Sequence, residues 1–247
     1  MTPSMPQDIT ATLSAYVAGA LTSQPPPAHR EMARLHLLDT LAAMVACRDL
    51  EPAVLARAYS ASLSGACGVA TMLATSERAG LVEAAFASAM TGHAAEINDF
   101  IPSAFVQPGP AVVSVALAIA EARGASGADL LRAVITGYEL AGRVPKALGL
   151  ANLRRAGIAN HGIGPLFGAA ATAAALLRLK PEQIDDVWTF CAQQAGGSWQ
   201  WLLDVEHIEK AFVFAGMGAR DGLQAALMVE AGFRGVPQAL DHPAGWL

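Results

Sequence analysis

The sequence predicts an all-α fold, and three observations carry that prediction. Hydrophobic residues make up 53% of the 247 positions but aromatics only 6%, so much of the apolar content is alanine, which favours helix and lets helix axes approach. Apolar residues recur at helical spacing along most of the chain. Segments that alternate apolar and polar residues, as a half-buried strand does, are few. The expectation is a single helical domain over residues 1–247, with 1–7 flexible and 236–247 leading into further structure.

Taken in order, residues 8–21 read as a first helix, with Ile9, Leu13, Tyr16, Val17 and Leu21 at helical spacing; Pro25, Pro26 and Pro27 break it. A second helix spans residues 28–47, with Met32, Leu35, Leu38, Leu41 and Val45 on one face. Its Asp39 needs a partner if buried, and its lone His36 reads as a packed or surface residue. Glu51 and Pro52 restart a helix to about Leu63, and residues 65–73 form a loop leading into a short extended piece. Residues 80–93 form a small-residue helix that must pack tightly. A turn at residues 107–110 precedes an apolar helix over 111–122. Ser126 and Asp129 have capping-box spacing and start a helix to about Arg143, which Pro145 ends. A basic loop over residues 146–155 and a glycine-rich stretch over 157–165 lead into a helix over 166–177. Lys180-Pro181-Glu182-Gln183 opens the next helix, which Gly196 and Gly197 end. Trp199, Trp201 and an acidic turn follow, and a last helix runs to Ala231 before the stop at Gly232.

Composition excludes several classes of function. The net charge is −5 and no basic aromatic patch is present, which argues against nucleic acid as a partner. No apolar run is long enough and free enough of charge for a confident membrane span. The residues Met1-Thr2-Pro3-Ser4 lack a basic region followed by an apolar core, so no secretory signal is expected. Cys47, Cys67 and Cys191 are odd in number and widely spaced, which suggests neither a disulfide framework nor a zinc site and fits a reducing cytoplasm. The glycine-rich stretch matches neither GxGxxG nor a Walker A pattern and follows no strand, so a nucleotide site is not expected.

Chemistry concentrates in Gly92-His93-Ala94-Ala95-Glu96-Ile97-Asn98-Asp99-Phe100, where a histidine and two acids meet in a chain with only 15% charged residues. Acids at a helix end that opens into a loop suit proton transfer, and equally suit helix capping. His93 reads as a structural residue orienting the segment through a buried hydrogen bond. The second distinctive stretch, residues 209–222, carries Lys210 and Arg220; Arg220 reads either as a fork for a substrate carboxylate or as an internal salt bridge. Trp199 and Trp201 read as core or interface, and Glu206 and His207 as solvated turn residues.

These stretches resemble the MmgE/PrpD family over about residues 35–235. Leu37-Leu38-Asp39-Thr40-Leu41 is similar to its second-helix signature, and residues 84–99 to its segment of small residues ending in a His and several acids. Gln107-Pro108-Gly109 resembles its His-Pro-Gly turn, and residues 126–139 its Ser-Gly to Gly-Tyr-Glu helix. Phe167-Gly168-Ala169-Ala170 through Pro181-Glu182-Gln183, then residues 210–222, complete the set in order. The resemblance implies the family's large helical domain, with its smaller lid domain absent from this chain. It implies a lyase or isomerase of the 2-methylcitrate dehydratase type that removes a proton next to a carboxylate in a small polycarboxylate, without metal or organic cofactor. Dehydration, decarboxylation or epimerisation then follows. It also implies a homodimer, and the missing lid is expected on a second chain or in the remainder of a longer protein from which this sequence is cut.

Carried over residue by residue, the resemblance places Glu96 and Asp99 at the family's acidic positions and Lys210 as positive charge at the site. His161 stands near a family histidine if the preceding loop is two residues shorter; without that gap Ala159 takes the position. Gln107 and Arg220 are the expected substrate-binding residues. The pattern departs at Glu96 and Asn98, where Asp is usual, at Phe100 in place of Thr, and at Gln107 in place of His. Gln has no useful acid–base chemistry. These departures keep open a second reading, a non-catalytic helical binding or assembly subunit.

Overall fold

Asp8 opens the first helix by accepting the Ala11 N–H at 2.8 Å, and α1 spans Ile9–Ala18. The structure, a computed structural model, describes residues 8–64, 68–242 and 245. The readings of residues 1–7, Cys67 and most of the terminal stretch fall outside the described residues. After a 3-10 turn at Ala20–Thr22 come α2 (Pro27–Cys47) and α3 (Glu51–Ser64), then a two-residue hairpin of β1 (Ala70–Thr71) antiparallel to β2 (Arg78–Ala79). The chain continues through α4 (Leu81–His93), α5 (Gly109–Arg123), α6 (Gly127–Leu148), α7 (Leu150–Arg155), α8 (Asn160–Leu176) and α9 (Pro181–Gln194). A 3-10 turn at Trp199–Leu203, α10 (Ile208–Ala211), a π turn at Phe212–Gly216 and α11 (Met217–Glu230) finish it. The fold is all-α, as the composition and periodicity predict.

The centre is α8, in which every residue is buried. A helix that is apolar all round has no solvent side and must be surrounded. α6, α11 and α5 pack directly on it, and α4 lies against α5, α3 and α11. Small residues make the crossings close. A Cβ on Gly137 would run into the Thr172 hydroxyl and come within 2.8 Å of Val112, and one on Gly222 would come within 2.5 Å of the Leu166 carbonyl oxygen. The helix ends are satisfied locally. Ser126 accepts the Asp129 N–H at 3.1 Å, and Gln183 accepts the Lys180 N–H at 3.0 Å.

Three expectations change. Pro145 does not end α6, which continues to Leu148 and stops at Gly149, a residue with positive φ; the basic segment beyond it is the short helix α7 rather than a loop. The glycine-rich stretch is mostly helix, because α8 already begins at Asn160. Its glycines serve close approach: a Cβ on Gly164 would stand 2.7 Å from the Ala141 carbonyl oxygen. Third, α2 presents its larger apolar residues outward. Its buried positions are Ala33, Thr40, Ala43, Met44 and Cys47, while Leu38 is 65% and Val45 61% exposed. Asp39 is exposed and needs no buried partner.

Candidate active site

The loop that follows α4 carries the first group of site residues. α4 is buried along its last ten positions, so its end is fixed and His93 is fully enclosed. Asn98 orients His93. The Asn98 amide nitrogen donates to the Asp99 carbonyl at 3.3 Å, which leaves its oxygen facing His93 Nδ1 at 3.0 Å. His93 Nε2, on the other side of the ring, lies 3.9 Å from Glu96 Oε1. Burial lowers the His93 pKa to about 3, so the ring is neutral at pH 7. This is the structural role the sequence suggests for it.

Glu96 sits at a left-handed backbone position, φ 52°, which costs a non-glycine residue free energy and recurs where a site holds a side chain in one direction. Its carboxylate faces Lys210 Nζ at 3.5 Å and His207 Nδ1 at 3.2 Å. Both come from the segment at the start of α10, where Asp204 accepts the Lys210 backbone N–H at 2.8 Å and anchors the turn. His207, read from sequence as a solvated turn residue, is thus part of the cluster. It sits at the left-handed N-cap of α10, φ 58°, with its partner Glu96 far away in the chain, so no local spacing marks it.

His161 lies one ring away. Phe214, in the π turn, stacks on His161 at 4.1 Å between centroids and on His93 at 4.8 Å. Trp199, Trp201 and Phe105 close the other sides of His161. Burial lowers the His161 pKa to about 4, so it too is neutral at pH 7, a lone-pair acceptor or N–H donor rather than a cation.

The two expected acids do not form a pair. Asp99 turns away from Glu96: its Oδ1 accepts the Gly109 N–H at 3.1 Å, capping α5, and its Oδ2 stands 3.5 Å from His36. The Thr40 and Tyr138 hydroxyls crowd the same spot, since a Cβ on Gly109 would meet both of them and Asp99. Burial raises the Asp99 pKa against the opposing pull of Tyr138 and His36. His36, stacked on Tyr138 at 4.6 Å, is thus a packed residue with a carboxylate partner. Arg220 makes an ion pair with Asp221, its Nε 2.6 Å from the carboxylate, and its guanidinium lies 5.4 Å over the Phe212 ring. Gln107 is half-buried two residues ahead of α5. Among the described residues, no group of three metal-ligating side chains comes together, and no helix is long and apolar enough to cross a membrane.

Glu96, Lys210, His207 and His93 therefore form one polar cluster, joined to His161 through Phe214. Comparison with known proteins places the chain in a family. The family model described as the MmgE/PrpD N-terminal domain matches residues 11–247. The cis-aconitate decarboxylase-like protein oryM of Aspergillus oryzae (strain ATCC 42149 / RIB 40) is 29% identical over 190 residues, 72% of this chain and 38% of that protein. A cis-aconitate decarboxylase of Aspergillus terreus is 29% identical over 193 residues, 73% of this chain and 37% of that protein. Another, from Aspergillus terreus (strain NIH 2624 / FGSC A1156), is 28% identical over 96% of this chain and 49% of that protein. The chain spans less than half the length of these curated relatives. On the match of its helical domain, the chain belongs to the MmgE/PrpD family.

Proposed function

We propose that the chain supplies the helical half of a lyase or isomerase that removes a proton next to a carboxylate in a small polycarboxylate. The observation that carries this reading is the placement of Glu96 within 3.5 Å of Lys210 and 3.2 Å of His207, at the end of a helix that opens into a loop. Proton removal needs a base within reach of the substrate, and Glu96 offers a carboxylate that is about one-third exposed. The resulting carbanion spreads negative charge onto the neighbouring carboxylate, and Lys210 stands where it stabilises that charge as it forms. Neutral His161 adds a hydrogen-bonding group without adding a competing cation. Asp99 acts from behind, holding the loop and α5 together. The relatives named cis-aconitate decarboxylase support a lyase; where CO2 is lost, its departure leaves the electron pair on carbon, and that carbanion takes up a proton from an acid and needs the same charge stabilisation. The working unit includes a second copy, a second chain that supplies the lid, or both.

The test is exchange of the α-proton of a panel of di- and tricarboxylates in deuterated water, followed by proton NMR. It uses the chain together with any chain that co-purifies from its native cell. Glu96→Gln and Lys210→Ala each lower exchange by roughly a hundredfold or more, with the circular dichroism unchanged. Exchange that persists in both variants overturns the reading. A second reading has an observation in its favour. Gln107 and Phe100 stand where the family carries His and Thr, so the chain would be a binding or assembly subunit that kept the scaffold. No exchange with any substrate, in a complex whose assembly ignores both substitutions, supports that reading.

A further inference from the structure

Removing a proton at one atom calls for delivering one at another, to a departing hydroxyl or to the carbanion itself. Glu96 and Lys210 supply the base and the positive charge, and that leaves the acid to be found. Lys210 is the charge that meets the carbanion, and a proton given up there removes that charge as the carbanion forms. Gln107 has no acidic proton to give. His93 is fully enclosed and His161 is 2% exposed, and burial keeps both neutral at pH 7.

His207 is placed for the task. Its Nδ1 is buried without a hydrogen bond and faces Glu96 Oε2 at 3.2 Å. The side chain as a whole is 36% exposed, so its accessible surface lies on the other ring atoms. Glu96 is about one-third exposed as well, and the two side chains in contact border the same opening. Oε2 is shared by His207 and Lys210, whereas His93 stands 3.9 Å from Oε1, beyond hydrogen-bond distance, so Oε1 is the oxygen left for a substrate proton. The charged groups around His207 are Glu96 from the loop after α4, Asp204 from the preceding turn and Lys210 from α10, with neutral His93 behind Glu96. A protonated ring there has two carboxylates for neighbours.

The backbone fixes this meeting. Glu96 and His207 are two of six non-glycine residues with positive φ among the described residues, at 52° and 58°, and they face each other. Such positions cost free energy and recur where a site holds a side chain in one direction. Asp204 pins the turn that presents the ring, accepting the Glu206 N–H at 3.0 Å and the Lys210 N–H at 2.8 Å, one on each side of His207 in the chain.

We propose that His207 is the acid of the site, an imidazolium that delivers a proton from Nε2 while Glu96 takes one from carbon. The inference rests on the proton-abstraction reading above and adds the residue that completes it. As Glu96 takes the proton, the C–H bond breaks and its electron pair stays on carbon. Where that pair expels a hydroxyl, the C–O bond breaks, the Nε2 proton joins the departing oxygen and water leaves. Where nothing departs, the same proton goes to the carbanion. His207 ends neutral with its N–H toward Glu96. After release, water takes the proton from Glu96 and returns one to Nε2.

The test follows proton exchange and product formation in the same samples, in deuterated water, with the panel of di- and tricarboxylates, malate and citrate included, and with any chain that co-purifies. Product is read as new alkene signals or, by chiral chromatography, as inversion. Glu96 can return a deuteron to the carbon it deprotonates, so exchange does not need the acid. His207→Asn and His207→Gly both accept the left-handed φ, so the turn and the circular dichroism persist. Each keeps exchange within a few-fold of the parent and lowers product formation by roughly a hundredfold or more. Added imidazole restores product formation in His207→Gly, where the ring has left room, and not in His207→Asn. Product formation at the parental rate in both variants overturns the inference and leaves the lyase standing. So does a parallel loss of exchange and product that imidazole does not restore, which marks His207 as a structural residue. A parent that exchanges protons and forms no product also overturns it while proton abstraction stands. A parent that does neither removes the lyase and this acid together.

Discussion

At the scale of single residues, the site depends on two histidines that the fold keeps uncharged. Unfolded histidine titrates near 6.5, whereas burial holds folded His93 at about 3 and His161 at about 4. Below pH 6.5 the unfolded chain therefore binds protons that the folded chain does not. Stability is full above that pH and falls as pH drops, by about 1.4 kcal/mol per pH unit for each histidine until its folded value is reached. Urea unfolding at pH 7, 6 and 5 should show that slope, and His161→Phe should reduce it by about half. An unchanged slope in the variant would mean that His161 takes a proton in the folded state. The sequence shows the residues of this site but not their pairing. Glu96 and Asp99 look equivalent at three-residue spacing, yet a left-handed φ at Glu96 sends the two carboxylates to different neighbours. His207 escapes the sequence reading because its partner is distant in the chain and only the fold brings the two together.

At the scale of elements, close helix crossings carry the fold, and they rest on residues with no side chain to spare. Gly137 in α6 faces Thr172 and Gly168 in α8, with a Cβ reaching 3.0 Å from the Gly168 carbonyl oxygen. Gly137→Ala should gain a little helix propensity and lose more to overpacking, a net destabilisation of about 1–3 kcal/mol read from thermal or urea unfolding. Gly127→Ala, at a position where a Cβ meets nothing, is the control and should be neutral to stabilising. Helix order and most helix starts are legible because capping residues and apolar spacing are local signals: Asp8, Ser126 and Gln183 all cap as their types suggest. The ends of helices are less legible. Pro145 and the glycines of α8 look like breakers, but tertiary packing overrides their local preference. Where a helix is buried all round, small residues favour contact more than they disfavour helix.

At the scale of the whole molecule, the unusual feature is where large apolar side chains point. Met32, Leu35, Leu38 and Val45 of α2 are about half or more exposed, and so are Val54, Leu55, Tyr59 and Leu63 of α3. Scattered exposed leucines are ordinary, but two neighbouring helices in sequence that keep alanine inside and leucine outside present apolar surface in a way monomers avoid. A net charge of only −5 over 247 residues supplies little repulsion to keep copies apart. The surface is therefore expected to be covered, by a second copy or by a second chain, over an area of order 800 Å² per partner. Light scattering coupled to size exclusion should give a mass above that of a single 25.5 kDa chain. Leu38→Asp combined with Leu55→Asp should return it to the single-chain mass, with the helical circular dichroism retained because neither side chain contributes to the buried core. A parent that runs as a single chain at every concentration, and captures no second chain from its native cell, would show that these faces are simply solvated.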